Sequence, residues 1–147
     1  MKLRFAAVLL LPCGLAHAEP RITQNDFGGT GLLQTPTARM APAGELSVNA
    51  NRTEPYSRYS VSLQPLDWLE GSFRYTAITN RPYGSEALSG SQSYKDKAVD
   101  AKVRLWQESH WLPDVALGFR DIGGTGLFSS EYFVANKRYD NFDFSAG

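Results

Sequence analysis

From Glu45 to Gly147 the chain consists of short segments in which apolar and polar residues alternate, separated by turn-forming residues. The clearest runs from Leu69 to Ile78. Leu69, Phe73, Tyr75 and Ala77 share one parity, while Glu70, Ser72, Arg74 and Thr76 share the other. Successive side chains of a strand point to opposite faces, so a period of two writes one apolar face and one polar face. A helix would scatter these residues around its circumference. A face that carries both Glu70 and Arg74 is no ordinary core, so water or an aqueous lumen must lie against it.

The same reading places strands along the rest of this region. Leu46, Val48 and Ala50 alternate with Ser47, Asn49 and Asn51, and Tyr59, Val61 and Leu63 with Ser60, Ser62 and Gln64. After a hydrophilic stretch from Thr79 to Lys97, Val99, Ala101, Val103 and Leu105 alternate with Asp100, Lys102 and Arg104. Val115, Leu117 and Phe119 follow against Ala116, Gly118 and Arg120, then a strand over Glu131 to Arg138, and a seventh opened by Phe142, Phe144 and Ala146. The expected fold class is all-β, an antiparallel meander of about seven strands. Arg21 to Gly44, dense in Gly and Pro, is expected to run as a loop over a surface or to plug an opening.

Connection lengths separate a membrane barrel from a soluble sandwich. Pro65 to Trp68, Glu108 to Pro113 and Tyr139 to Asn141 are short connections at one end, while Thr79 to Lys97 and Ile122 to Ser130 are long ones at the other; Glu54 to Ser57 is the exception. Short turns on one side and long loops on the other are the habit of outer-membrane barrels. Trp68, Trp106, Trp111, Tyr139 and Phe142 flank the short turns, and Tyr56, Tyr59 and Tyr132 lie near the opposite ends, as two interfacial girdles would place them. Seven strands do not close a bacterial barrel, which takes an even number. The expectation is therefore the N-terminal part of an outer-membrane β-barrel, incomplete at the C-terminus.

Residues 1–18 read as an export signal. Lys2 and Arg4 precede an apolar run from Phe5 to Leu11, and Ala16-His17-Ala18 offers small residues before a cut that leaves Glu19 first. Pro12 makes a poor lipidation context for Cys13, the single cysteine, so simple cleavage is favoured over acylation. The resulting division is a signal peptide at 1–18, a Gly/Pro-rich segment at 19–44 and a partial barrel at 45–147. Formal charge is zero from 15 basic and 15 acidic residues, and no basic run follows a phosphate backbone, so nucleic acid is not expected as a partner.

Gly28-Gly29-Thr30-Gly31-Leu32 recurs as Gly123-Gly124-Thr125-Gly126-Leu127. Neither copy carries the Lys-Ser or Lys-Thr of a phosphate-binding loop. Gly28, Gly29, Gly31, Gly123, Gly124 and Gly126 are expected to serve positive φ or close backbone approach. Phe27 to Arg39 and Trp111 to Tyr132, which contain these copies, resemble the YjbH family of exopolysaccharide and group 4 capsule outer-membrane proteins. The resemblance implies a large outer-membrane barrel encoded among polysaccharide-secretion components, without known catalysis. Expected partners are outer-membrane lipid, polysaccharide and other secretion-operon proteins.

Chemistry of other kinds finds little support in the residues. His110 has no second His or Cys with which to share a metal, so it is expected to be solvated in a turn, and no cofactor is expected. Glu70, Asp100 and Glu131 fall among basic residues on the polar faces, which suits ion-paired lumen charges better than the spaced carboxyl pair of a glycosidase. No enzyme activity is expected. Glu70, Arg74, Asp100, Lys102, Arg104, Arg120, Lys137 and Asp143 are the candidate lumen-lining residues, offering a passing polysaccharide many weak hydrogen bonds. The competing expectation is a soluble periplasmic β-domain that binds glycans or scaffolds a secretion complex.

Overall fold

The computed structural model describes residues 22–147; the leader, Cys13 and His17 lie outside the described residues. Within them the regular structure is almost all strand. Two short strands, β1 (Gly31–Leu32) and β2 (Thr35–Pro36), form a small hairpin in the segment that sequence reads as loop. The meander follows as β3 (Leu46–Thr53), β4 (Tyr56–Leu66), β5 (Leu69–Pro82), β6 (Ser93–Trp106), β7 (Asp114–Arg120), β8 (Ser130–Tyr139) and β9 (Phe142–Ala146). Each strand pairs antiparallel with its sequence neighbour, giving one seven-stranded sheet that curls into an open half-barrel. The sole helix among the described residues is α1 (Glu86–Ser89). No helix there is long and apolar enough to cross a membrane, which says nothing about crossing with strands.

The connection expected from Thr79 to Lys97 is shorter than it reads. The β5–β6 ladder continues through Tyr75 opposite Lys97 and Ile78 opposite Tyr94, so only Tyr83 to Gln92 is left outside the strands. Thr79 to Pro82 and Lys95 to Lys97 show no apolar alternation, which hides the strand ends from a hydrophobicity pattern although the backbone still pairs. The Pro65–Trp68 turn tightens to Asp67 and Trp68, and Glu54 and Pro55 alone join β3 to β4.

Register shows which residues share a face. Ser60 lies opposite Arg74 and Arg74 opposite Ala98, while Glu70 lies opposite Lys102 and Lys102 opposite Gly118. This face is concave and buried. Its largest fully buried side chains are Arg74, Lys102, Gln64, Thr76 and Asp96, the reverse of a soluble core. The other face carries Leu46, Val48, Val61, Phe73, Val99 and Phe133, all exposed, with Val48 at 77% and Phe133 at 53%. Alternation thus operates as read, with the polar side turned inward.

Trp68, Trp106, Trp111, Tyr139 and Phe142 are exposed around the short-turn rim. The opposite girdle needs correction. Tyr59 is exposed, but Tyr132 lies opposite Gly118 and Tyr56 carries the Arg58 guanidinium over its ring, so both belong to the inner face.

Candidate functional site

The buried polar face is covered by residues 22–45, which reach from β4 and β5 to β9 at Arg39 and return to β4 at Gly44 and Glu45. Their density of Gly and Pro prevents a regular strand, and the backbone they leave unpaired is served by inner-face side chains. Lys102 shows the arrangement most fully. Its ammonium, 1% exposed, donates to the carbonyls of Thr30 (3.2 Å), Thr37 (3.2 Å) and Arg39 (3.0 Å) and stands 3.2 Å from Glu70 Oε1. The Glu70 carboxylate accepts the Thr30 N–H at both oxygens, 3.2 and 3.1 Å. Two charges buried together persist only when nearly every donor and acceptor is met, and here the cover supplies the partners.

A tight turn brings Phe27 onto this face. Asn25 Oδ1 accepts the Phe27 N–H at 2.9 Å, an Asx-type turn, and the side chains of Asn49 and Asn51 hold the carbonyls of Asn25 and Asp26. Gly28, at φ +102°, hands its carbonyl to the Ser62 hydroxyl; a Cβ there would stand 2.5 Å from Ser60 Cβ. The Phe27 ring then lies among the guanidiniums of Arg120 (4.1 Å), Arg58 (5.0 Å) and Arg74 (5.0 Å). Arg74 also pairs with Asp100 at 2.6 Å, and Asp100 accepts the Asp121 N–H at 2.7 Å.

The far half of the cover is anchored differently. Ala38 and Met40 pack with Ala116 and Val134 in the small apolar cluster, and the Ala38 N–H meets Asn136 Oδ1 at 2.7 Å. Arg39 gathers three carboxylates, Glu108 (2.6 Å), Asp114 (2.7 Å) and Asp143 (2.7 Å), while its Nε adds a second contact to Asp143 at 3.0 Å. Burial alone would lower the Arg39 pKa, but the hydrogen bonds it donates to Asp143 and Glu108 raise it above the usual arginine value. Burial pushes Glu108 upward, yet the Arg138 N–H, Arg39 and Lys137 outweigh it and hold the carboxyl below its ordinary range. Beside this clamp a cavity of about 790 Å³ opens towards the short-turn rim, lined in part by Arg39, Arg104, Arg138, Asp114 and Asp143.

Of the charged candidates, Glu70, Arg74, Asp100, Lys102, Arg104, Arg120 and Asp143 lie on this inner face. Lys137 does not. It stands opposite Phe144 and shares parity with Phe133, and its ammonium reaches over the rim to the carbonyls of Ser109 (2.5 Å), His110 (3.1 Å) and Leu112 (3.4 Å). Glu131, opposite Phe119, is likewise on the outer side. The first glycine motif lies against the sheet: a Cβ on Gly29 would meet Glu70 Oε1 at 2.7 Å, and one on Gly31 the Thr35 carbonyl at 2.4 Å. In the second, Gly124 approaches the Lys97 carbonyl, Gly126 takes φ +74°, and Gly123 has only Val99 near it.

Sequence reasoning missed Phe27, Arg39, Arg58, Asp114 and Asn136. Arg58 was within reach, since it shares parity with Ser60, Ser62 and Gln64. Phe27 and Arg39 lie where no period exists, and nothing local signals their partners. His110 is exposed with its ring against Trp111, and no group of three or more His, Cys, Asp or Glu gathers as a metal shell among the described residues.

Comparison with known proteins bears on this arrangement. The family model YjbH, described as "Exopolysaccharide biosynthesis protein YbjH", matches residues 23–147. The chain is 60% identical over 126 residues to the "Uncharacterized lipoprotein YjbH" of Escherichia coli (strain K12), covering 85% of this chain and 18% of that protein. No solved structure matches. The covered inner face and the sheet that carries it both fall within residues 23–147, and the chain belongs to the YjbH family of exopolysaccharide biosynthesis proteins.

Proposed function

We propose that this chain forms part of the wall of an outer-membrane β-barrel that serves exopolysaccharide or capsule polysaccharide export. The observation that carries the reading is the inversion of the sheet, with Arg74 and Lys102 essentially unexposed while Val48, Phe133 and Phe144 stand open. Burying one such apolar side chain is worth about 1.5–3 kcal/mol. A whole face of them left in water is costly, whereas lipid removes the cost, and the strands keep their backbone groups paired.

Strand parity constrains how the sheet is completed. With seven antiparallel strands, β3 and β9 run in the same direction, so joining them directly would make a parallel pair. Two copies related by an axis along the barrel would meet the same obstacle. An odd number of further strands restores an all-antiparallel, even-numbered wall. The relative's greater length offers room for them, and polymer passage is proposed for such a completed wall, with the inner charges giving weak and replaceable contacts.

Fractionation tests the proposal. A heat-modifiable band in outer-membrane fractions is the expected result, and recovery in the soluble periplasm without detergent would sink it. The word "lipoprotein" in the relative's name favours a second reading, an envelope domain tethered through an acylated Cys13. Intact mass of the mature chain separates the two: our reading expects Glu19 as first residue, while acylation gives Cys13 as first residue, with a lipid increment that Cys13→Ser removes.

A further inference from the structure

We propose that the Phe27 turn masks a binding site for an acidic glycan, formed by Arg58, Arg74 and Arg120 on the inner face. The inference rests on the export reading for its ligand class and on geometry for its charge. Three guanidiniums face a single ring at 4.1–5.0 Å, a crowding of like charges that the ring's quadrupole offsets only in part. Arg74 has Asp100 as its ionic partner, but Arg58 and Arg120 have no carboxylate within 4.0 Å among the described residues. Nε and Nη1 of the buried Arg58, and Nε and Nη2 of the fully buried Arg74, meet no acceptor there. Such donors are matched by a carboxylate or phosphate, whose oxygens take paired N–H bonds from a guanidinium fork.

Acidic neighbours limit the site without cancelling it. Asp100 is committed to Arg74 and to the Asp121 N–H, Asp121 accepts the Phe128 N–H, and Asp96 accepts from the Thr125 hydroxyl. Asp26 belongs to the turn itself and leaves with it. That turn is held by its own internal bonds and by polar side chains, whereas the Ala38–Met40 half is fixed by apolar packing and the Arg39 clamp. The turn ahead of Thr30 can therefore lift while Thr30, held by Glu70 and Lys102, and the Ala38–Met40 half stay anchored. Its departure releases the Phe27 carbonyl from Arg74 Nη1 and uncovers Arg58 with its donors free and Arg120 with only a 3.5 Å contact from Nη2 to the Gln34 carbonyl, and a uronate or phosphate-bearing sugar takes the place of the ring.

The test uses the full chain in detergent micelles, with fluorescent polygalacturonate as acidic probe and dextran as neutral control. Phe27→Ala should bind polygalacturonate about tenfold more tightly than the parent, and Arg58→Gln with Arg120→Gln in that background should remove the gain. Gly28→Val, whose side chain collides with Ser60, should raise binding by displacing the turn with all three arginines intact. In the unaltered chain, phenylglyoxal labelling of Arg58 and Arg120, read by mass spectrometry, should fall several-fold with polygalacturonate and stay constant with dextran. Unchanged binding in Phe27→Ala, a gain that survives loss of the arginines, or equal labelling with both polymers overturns the proposal. Heat-modifiable outer-membrane insertion accompanied by any of these results would leave the wall reading standing and remove this one alone.

Discussion

The two copies of Gly-Gly-Thr-Gly-Leu are identical in sequence and unlike in position. The first is pressed between the cover and the inner face, with Thr30 buried and its N–H on the Glu70 carboxylate. The second lies in the β7–β8 connection and bends over β6, with Thr125 exposed and its hydroxyl on the Asp96 carboxylate. Both bring a backbone without Cβ close to a strand and end on a buried acid, so the repeat encodes a close approach to a wall and not a repeated unit of fold. What separates them is what the acid does next. Glu70 also neutralises Lys102, which holds the cover, whereas Asp96 serves only the loop.

The sharpest way to break that comparison is to remove each acid's charge. Glu70→Gln leaves the Lys102 ammonium buried without its counter-ion and should cost about 3–5 kcal/mol, while Asp96→Asn should cost about 1 kcal/mol. Denaturant unfolding in micelles, followed by tryptophan fluorescence, measures both; equal losses would erase the distinction. Next come the glycines. Gly28→Ala, at φ +102° and against Ser60, and Gly124→Ala, against the Lys97 carbonyl, should each cost about 2–3 kcal/mol, whereas Gly123→Ala, with only Val99 at 3.9 Å, should stay within about 0.5 kcal/mol. A large effect at Gly123 would mean that the second copy is held as tightly as the first.

The smallest expected effect is one of pH, and it sharpens the difference between the two ends of the cover. Because the folded state holds Glu108 below its ordinary carboxyl range, its contribution is complete above the unfolded value of about 4.3 and is lost as pH falls through the folded one. Hydrogen exchange over residues 37–40 should therefore quicken only in acid. Exchange that quickens on raising the pH above neutrality, after correction for the intrinsic rate, would contradict the assignment.

How much of this was legible follows from where a period of two exists. β4 and β5 show it cleanly, so the sequence alone places Glu70 and Arg74 on the polar face. β8 does not, because Tyr132, Phe133, Val134 and Ala135 are apolar at both parities; charge alone then put Lys137 inside and position alone put Tyr132 in a girdle. The paired ends of β5 and β6 were hidden for the opposite reason, having no apolar alternation. Phe27 and Arg39 act through partners dozens of residues away in a segment with no period, and only the folded sheet brings them together.

That separation bears on the order of assembly. Arg39 meets Asp143 across 104 positions, Ala38 meets Asn136 across 98, and Lys102 collects Thr30, Thr37 and Arg39 across 72, 65 and 63. Neighbouring strands of the meander pair over short spans and close cheaply, while contacts of this reach must wait for the elements between them. Residues 30–39, made before the strands they contact, are thus among the last to find their place, so during biogenesis the inner charges stay wet until β6 to β9 are in hand.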